Sequence, residues 1–176
     1  MRASFRSFGF GLILSVALVY LILVAQFSSF LDPFIILLAI PPGLTGVLLI
    51  LLVSGSTLNV MSLMGVVMMV GIVVSNSILI VDFTRHLRAG GAPLKQAVAE
   101  ACRIRLRPVL MTSLATIIGL IPMAMKLGTG AEAYAPLAQA IIGGLLVSVV
   151  VTVFLVPGAY LLLHRNDRLA VVEGRG

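Results

Sequence analysis

The sequence predicts an all-α membrane protein: a polytopic bundle of five transmembrane helices with one short amphipathic helix on the cytoplasmic surface. Of the 176 residues, 60% are hydrophobic and only 10% are charged, whereas a soluble domain carries roughly 25% charged residues. The mean hydropathy is +1.20. Five separate apolar runs also reach the length of about 20 residues that a membrane-spanning helix requires. The chain therefore suits a lipid bilayer as its solvent.

The five predicted spans occupy residues 9–27, 34–53, 60–83, 108–125 and 137–163. Within the second span, Pro41 and Pro42 should interrupt the helix because proline lacks the N–H donor. We expect Pro108 at the start of the fourth span, where a missing donor costs nothing, and a kink near Pro157 in the fifth. The first run is longer than the apolar core of a signal peptide and no Ala-x-Ala cleavage site follows it, which favours a spanning helix.

The loop between the third and fourth spans is predicted to contain the surface helix, at about residues 93–104. Its apolar residues recur every three or four positions, which makes one apolar face; they are Leu94, Ala97, Val98, Ala101 and Cys102. Basic residues accompany this face, as in helices that lie on a membrane surface. The spans and this helix form one predicted membrane domain, residues 1–165, followed by a cytoplasmic tail, residues 166–176.

Lysine and arginine are unevenly distributed between the two sides of the predicted bundle. Three lie on one side, at Arg2, Arg6 and Lys126. Nine lie on the other, at Arg85, Arg88, Lys95, Arg103, Arg105, Arg107, Arg165, Arg168 and Arg175. Because cytoplasmic loops carry the excess of basic residues, the N-terminus is expected outside the cytoplasm and the C-terminus inside. Such a start is natural if another segment precedes it, so we expect a fragment of a longer protein.

Acidic residues are missing from the middle of every predicted span. Asp32, Asp82 and Glu132 fall at span ends or in loops, and an ion pair between Asp82 and Arg85 is expected at the end of the third span. Because ionisable groups at bilayer depth usually mark a proton or ion pathway, this chain by itself lacks a proton carrier. With one cysteine and two separated histidines, no metal site is expected, and no nucleic-acid binding.

The polar residues that do fall inside the spans are neutral and small. Small residues spaced four apart let helices approach closely, and polar side chains can hydrogen-bond between them. We predict helix packing at Gly71, Thr116, Gly119, Gly144, Ser148 and Thr152. For Ser75, Asn76 and Thr112, both a packing and a functional interpretation stay open.

Four sequence strings resemble the resistance-nodulation-division (RND) efflux permeases of the acriflavin-resistance or multidrug type. They are GIVVSNSILIVDF at residues 71–83, RIRLRPVLMTS at 103–113, GLIP at 119–122 and GTGAE at 128–132. The resemblance covers essentially the whole chain and corresponds to the last five of the family's twelve spans. It implies a proton antiporter in the inner membrane of Gram-negative bacteria. It also implies a homotrimer or heterotrimer with a periplasmic adaptor and an outer-membrane channel.

The resemblance also implies proton-relay or coupling positions at Ser75, Asn76, Arg105 and Thr112, which answer acidic residues in the remaining half of the permease. Ser75 stands where drug pumps commonly carry a lysine. Serine can only hydrogen-bond, whereas lysine can pair with a charged aspartate. A metal-exporting branch also lacks that lysine. Neither the residues nor the resemblance implies a cofactor.

Three other interpretations stay open. In the first, the chain is a segment of a heavy-metal efflux pump. In the second, it is a small membrane scaffold or regulatory subunit of a pump. In the third, it is a relative that serves protein or lipid export. The RIRLRP string disfavours the third. A membrane enzyme is disfavoured because no nucleophile, acid–base pair or metal cluster falls within the spans. The DNA upstream of Met1 discriminates between a fragment and a free-standing subunit.

Overall fold

The computed structural model describes residues 2–28 and 31–164, which form six helices. These are α1 (Arg2–Phe27), α2 (Leu31–Leu37), α3 (Ile40–Ser54), α4 (Val60–Ala89), α5 (Leu94–Ala124) and α6 (Ala131–His164). With α2 and α3 taken as one span, five are long and apolar enough to cross a membrane. The predicted all-α, five-span fold is therefore confirmed. The predicted tail at 166–176 lies outside the described residues.

The second span is broken close to the prolines that were expected to interrupt it. Leu38 and Ala39 form a turn between α2 and α3, and the proline pair Pro41–Pro42 falls in the first turn of α3. The N–H groups of a first turn have no partner within the helix, so proline is tolerated there. The break therefore lies just before the prolines rather than at them.

The boundary predicted between a surface helix and the fourth span is absent. Residues 94–124 form one uninterrupted helix, and Pro108 lies inside it rather than at its start. Its buried residues continue past the proline as one stripe, at Leu94, Ala97, Val98, Ala101, Val109 and Ser113. An interior proline costs about 3 kcal/mol in a soluble helix, and neighbouring helices can offset that cost in a membrane. Continuous packing thus overrides the local preference.

Helix α6 is the centre of the bundle and packs against α3, α4 and α5. Small residues allow its close approach to α3: a Cβ built on Gly46 would lie 2.4 Å from the carbonyl oxygen of Gly143. A Cβ built on Gly144 would lie 2.5 Å from Cγ of Met69 on α4. Both α3 and α4 therefore contact the same glycine pair of α6.

Gln139 on α6 joins two helix ends on the side of the bundle where α3 finishes. The hydroxyl of Ser56 donates to its Oε1 at 2.7 Å, and its Nε2 donates to the carbonyl of Ala124 at 3.2 Å. Close by in sequence, Asn59 caps α4, and its side chain and that of Ser62 exchange hydrogen bonds with each other's backbone N–H. These contacts satisfy polar groups that helix ends leave open.

Helix α1 contrasts with the rest of the bundle. Within α1 only Leu23 and Phe27 are buried, and both lie in its last turns. It packs against α2 and α4. Most of its length therefore presents apolar side chains away from the described chain.

Candidate functional site

The first contact of the candidate site joins α4 to α5 through two polar side chains. Nδ2 of Asn76 donates to Oγ of Ser113 at 3.5 Å. Both residues are buried, with 6% and 2% of their surface exposed. The neighbouring hydroxyl of Ser77 donates instead to the carbonyl of Val73 in its own helix, at 2.9 Å. Asn76 is therefore the residue of this string that reaches α5.

The second contact lies about two helical turns away, because Phe83 follows Asn76 by seven residues on α4 and Arg105 precedes Ser113 by eight on α5. The guanidinium carbon of Arg105 lies 4.7 Å from the centre of the Phe83 ring. A cation over an aromatic face is attracted by the ring quadrupole. Nε of Arg105 is buried and has no hydrogen-bond partner among the described residues. The ring therefore orients a guanidinium that retains an unused donor.

Ser75 and Thr112 are exposed within the described part of the chain. Ser75 is rotated about 100° from Asn76 because a helix advances by that angle per residue. Ser75 lines an apolar groove of about 430 Å³ between α1 and α4, together with Gly71 and Gln26. The Thr112 hydroxyl donates to the carbonyl of Pro108 at 3.0 Å. The four predicted relay residues therefore do not form one cluster: Asn76 and Arg105 sit in the α4–α5 interface, and the other two face outward.

Comparison with known proteins connects this geometry to a family. The model of the AcrB/AcrD/AcrF family matches residues 2–164. The chain belongs to this family of RND efflux permeases. It is also similar to a crystal structure of a heavy metal efflux pump, with 34% sequence identity and a TM-score of 0.79. That match covers 88% of this chain and 16% of the pump chain, so the chain spans about a sixth of that protein's length.

The residues predicted for helix packing differ in what they contact within the described chain. Gly144 faces Met69 and Val47, and Ser148 and Thr152 are buried on the same helix. In contrast, nothing in the described chain lies within 4 Å of a Cβ built on Gly71 or Gly119. Thr116 is half-buried, and its hydroxyl donates to the carbonyl of Thr112 at 2.8 Å. Gly71 and Gly119 thus present open surfaces.

Two participants in the site were absent from the residues selected by sequence. Ser113 enters the sequence analysis only as the last residue of the RIRLRPVLMTS string, and Phe83 only as the last residue of the third predicted span. The antiparallel succession of the third and fourth spans was visible in the sequence. The rotation of each helix about its axis was not, and that rotation decides that Ser113 rather than Thr112 meets Asn76.

The ion pair expected between Asp82 and Arg85 is wrong. Arg85 pairs instead with Asp32 in the first turn of α2, with Nη1 and Oδ2 3.3 Å apart, while Asp82 is exposed. Asp32 is 2% exposed. Residues 82 and 85 are near neighbours on a helix surface, but Arg85 points into the corner between α1 and α2 and therefore finds a partner distant in sequence.

A search of the described residues finds no group of three or more histidine, cysteine or acidic side chains that could hold a metal ion. Cys102, on α5, is a free thiol of intermediate exposure. The polar chemistry brought together between α4 and α5 thus consists of an amide, hydroxyl groups and a guanidinium.

Proposed function

We propose that this chain is a membrane part of a proton-driven RND efflux transporter that exports drugs or other toxic small molecules. The observation that carries this proposal is the buried Nε of Arg105, oriented by Phe83 and without an acceptor among the described residues. A buried donor normally finds a partner. Since no acidic residue falls in the middle of these spans, we infer that a carboxylate of the remaining half of the permease provides it.

In this mechanism Arg105 senses the protonation state of that carboxylate. The guanidinium remains charged at any physiological pH. It attracts the carboxylate while the acid is ionised, and the attraction weakens when a proton neutralises the acid. Asn76, held by Ser113, and the hydroxyl of Thr112 offer neutral hydrogen-bonding groups beside that pathway. The change in charge thereby alters how the missing spans pack against α4 and α5.

Serine at position 75 lowers the positive charge of the proposed proton pathway. A lysine at this position would add a second positive charge to the pathway, whereas serine adds only a hydroxyl group. We therefore propose that Arg105 is the principal cation answering the acids. The transporter would lie in the inner membrane as a homotrimer or heterotrimer, with adaptor and outer-membrane channel partners. The N-terminus of this segment would face the periplasm and its C-terminus the cytoplasm.

The test uses a complete RND transporter in which residues 2–164 replace the matching segment, expressed in cells without their own efflux pumps. We expect Asn76→Ala and Thr112→Ala to reduce proton-dependent dye export, with the amount of protein in the membrane unchanged. Ser77→Ala and Thr116→Ala are matched controls because neither residue is a predicted relay position. Thr116 donates its hydroxyl within α5 as Thr112 does, so loss of that bond by itself is accounted for. Wild-type export by both relay variants would assign Asn76 and Thr112 to packing alone. The chain expressed by itself is expected to confer no resistance.

Export of heavy-metal cations is a second candidate. Two observations favour it: the 34% identity to the heavy metal efflux pump, and Ser75 at the position where drug pumps commonly carry lysine. The same cells can be grown with dyes and antibiotics in one series and with copper, silver or zinc salts in another. This comparison requires the gene that encodes the periplasmic domains native to this segment, since substrates bind there. Resistance confined to the metal salts would replace the first proposal by the second.

A further inference from the structure

Arg85 near the end of α4 holds the corner between α1 and α2 by three contacts. Its guanidinium pairs with Asp32 at 3.3 Å and donates to the carbonyl of Phe27, the last residue of α1. The guanidinium carbon also lies 5.2 Å from the centre of the Phe27 ring. A cation is favourable at a helix C-terminus, where carbonyl groups lack partners. Through this one side chain, the end of α4 is bound to the end of α1 and to the start of α2.

The position of this contact matters because α1 is held at one end. Its two buried residues, Leu23 and Phe27, both lie beside the Arg85 contact. In the opposite half of α1 the described chain buries no residue, and no described residue lies within 4 Å of a Cβ built on Gly9 or Gly11. The angle that α1 makes with the bundle therefore depends on the few contacts at its last turns.

Other charged and polar groups surround the pair. Tyr160 on α6 is buried, and its electrostatic surroundings include Arg88, Asp32 and Arg85. Asp82, the acid one turn before Arg85 on α4, is exposed. The cluster contains Asp32, Arg85, Arg88 and Tyr160, and it joins the ends of α2, α4 and α6.

We propose that Arg85 is a positioning residue that fixes α1 to α4, so that any movement of α4 during transport is transmitted to α1. The contact acts on the helix that also carries Asn76, and the inference rests in that respect on the proposed function. Because Arg85 binds the carbonyl group and the ring of Phe27, the last turn of α1 follows the end of α4. Loss of Arg85 removes all three contacts, and loss of Asp32 removes the ion pair that holds the guanidinium beside Phe27. Both changes should loosen α1 while the α3–α6 core remains intact, because the glycine contacts of that core lie elsewhere.

The test measures distances in the complete transporter carrying this segment, with Cys102→Ser as background. Spin labels at the exposed positions 13 on α1 and 154 on α6 report the position of α1. Labels at 114 on α5 and 154 report the core. We expect one narrow α1–α6 distance in the parent protein and a broad distribution in Asp32→Asn and in Arg85→Met. The α5–α6 distance should stay narrow in both. Asp82→Asn, the matched control, should keep both distances.

Transport gives the second readout. Asp32→Asn and Arg85→Met should each lower the maximal export rate and leave the half-saturating dye concentration unchanged. The double variant should be no slower than Arg85→Met alone, because that change already removes the ion pair that Asp32→Asn breaks. A narrow α1–α6 distance in both single variants overturns the proposal, as does broadening of the core distance. The distances do not require active protein, so a parent transporter without proton-dependent export would defeat the proposed function alone.

Discussion

Gly46 on α3 and Gly143 on α6 meet backbone to backbone. A Cβ on Gly46 would lie 2.4 Å from the carbonyl oxygen of Gly143, and one on Gly143 would lie 2.7 Å from that of Gly46. Real Cβ atoms do not approach other atoms so closely. In lipid, where apolar side chains gain nothing by leaving water, such close contact between backbones is a main source of helix association. This crossing therefore sets the separation of the two core helices.

Replacing either glycine should push these helices apart. We expect Gly46→Ala and Gly143→Ala to lower the free energy of unfolding in detergent by about 1–3 kcal/mol, the usual cost of overpacking a core. Thermal unfolding followed by circular dichroism measures it. Gly119→Ala is the matched control, because no described residue lies within 4 Å of its Cβ position. Alanine there should be neutral or stabilise the helix by up to about 1 kcal/mol. Equal effects at all three positions would contradict the crossing.

The hydrogen bond between Asn76 and Ser113 should appear as energetic coupling. In a double-mutant cycle of Asn76→Ala and Ser113→Ala, the coupling energy is expected to be about 0.5–1 kcal/mol, since hydrogen bonds between membrane helices average about 0.6 kcal/mol. The same cycle with Ser77→Ala in place of Ser113→Ala should show weaker coupling, because that hydroxyl bonds within its own helix. Additive effects of Asn76→Ala and Ser113→Ala on unfolding would remove Ser113 from the candidate site.

The two side-chain hydrogen bonds of Gln139 should stabilise two helix ends. Gln139→Leu removes the acceptor for Ser56 and the donor to Ala124, so amide hydrogen exchange should rise in both the α3–α4 turn and the end of α5. Gln139→Glu keeps an acceptor but no donor, so exchange should rise more at the end of α5. Ser54→Ala is the control, because that hydroxyl bonds only to Ile50 of its own helix. Unchanged exchange at both ends in Gln139→Leu would exclude the bridge.

A substitution of Pro108 tests whether the helix begins at Pro108, as the sequence predicts, or at Leu94, as the structure has it. In the middle of α5, Pro108→Ala restores a helical hydrogen bond and should raise the melting temperature in detergent. At a helix start, the same change would have little effect, because that N–H has no partner there. Pro93→Ala is the comparison, since Pro93 stands at the beginning of α5. An effect at Pro108 as small as that at Pro93 would restore the predicted boundary.

Much of the fold follows from the sequence because the hydropathy of a segment depends on whether lipid or water surrounds it, and not on which particular residues it contacts. The five spans were predicted on that basis, and the interruption near Pro41 from the N–H donor that proline lacks. The separate surface helix at 93–104 was not found as predicted, since the stripe from Leu94 to Ser113 packs without a break. The preference of proline for a helix start is a local effect, and the packing of α5 against α4 and α6 outweighs it at Pro108.

The candidate site was less accessible to sequence reasoning. The resemblance indicated Asn76 and Arg105, and the structure places both between α4 and α5. It places Ser75 and Thr112 on outward-facing surfaces. Which partner each residue meets depends on helix rotation, and a rotation of 100° moves a contact from one residue to the next. No periodic pattern in a nearly uniform apolar helix specifies that angle.

The sequence by itself determined that this chain lies in a membrane, how many times it crosses, and to which family it is related. Those properties depend on composition and on strings of adjacent residues. Only the tertiary structure decided that Arg85 pairs with Asp32 rather than Asp82, that Ser113 meets Asn76, and that Gly46 meets Gly143. Each of these pairs joins residues far apart in the chain, and their contact depends on how whole helices tilt and rotate to satisfy packing and buried polar groups together.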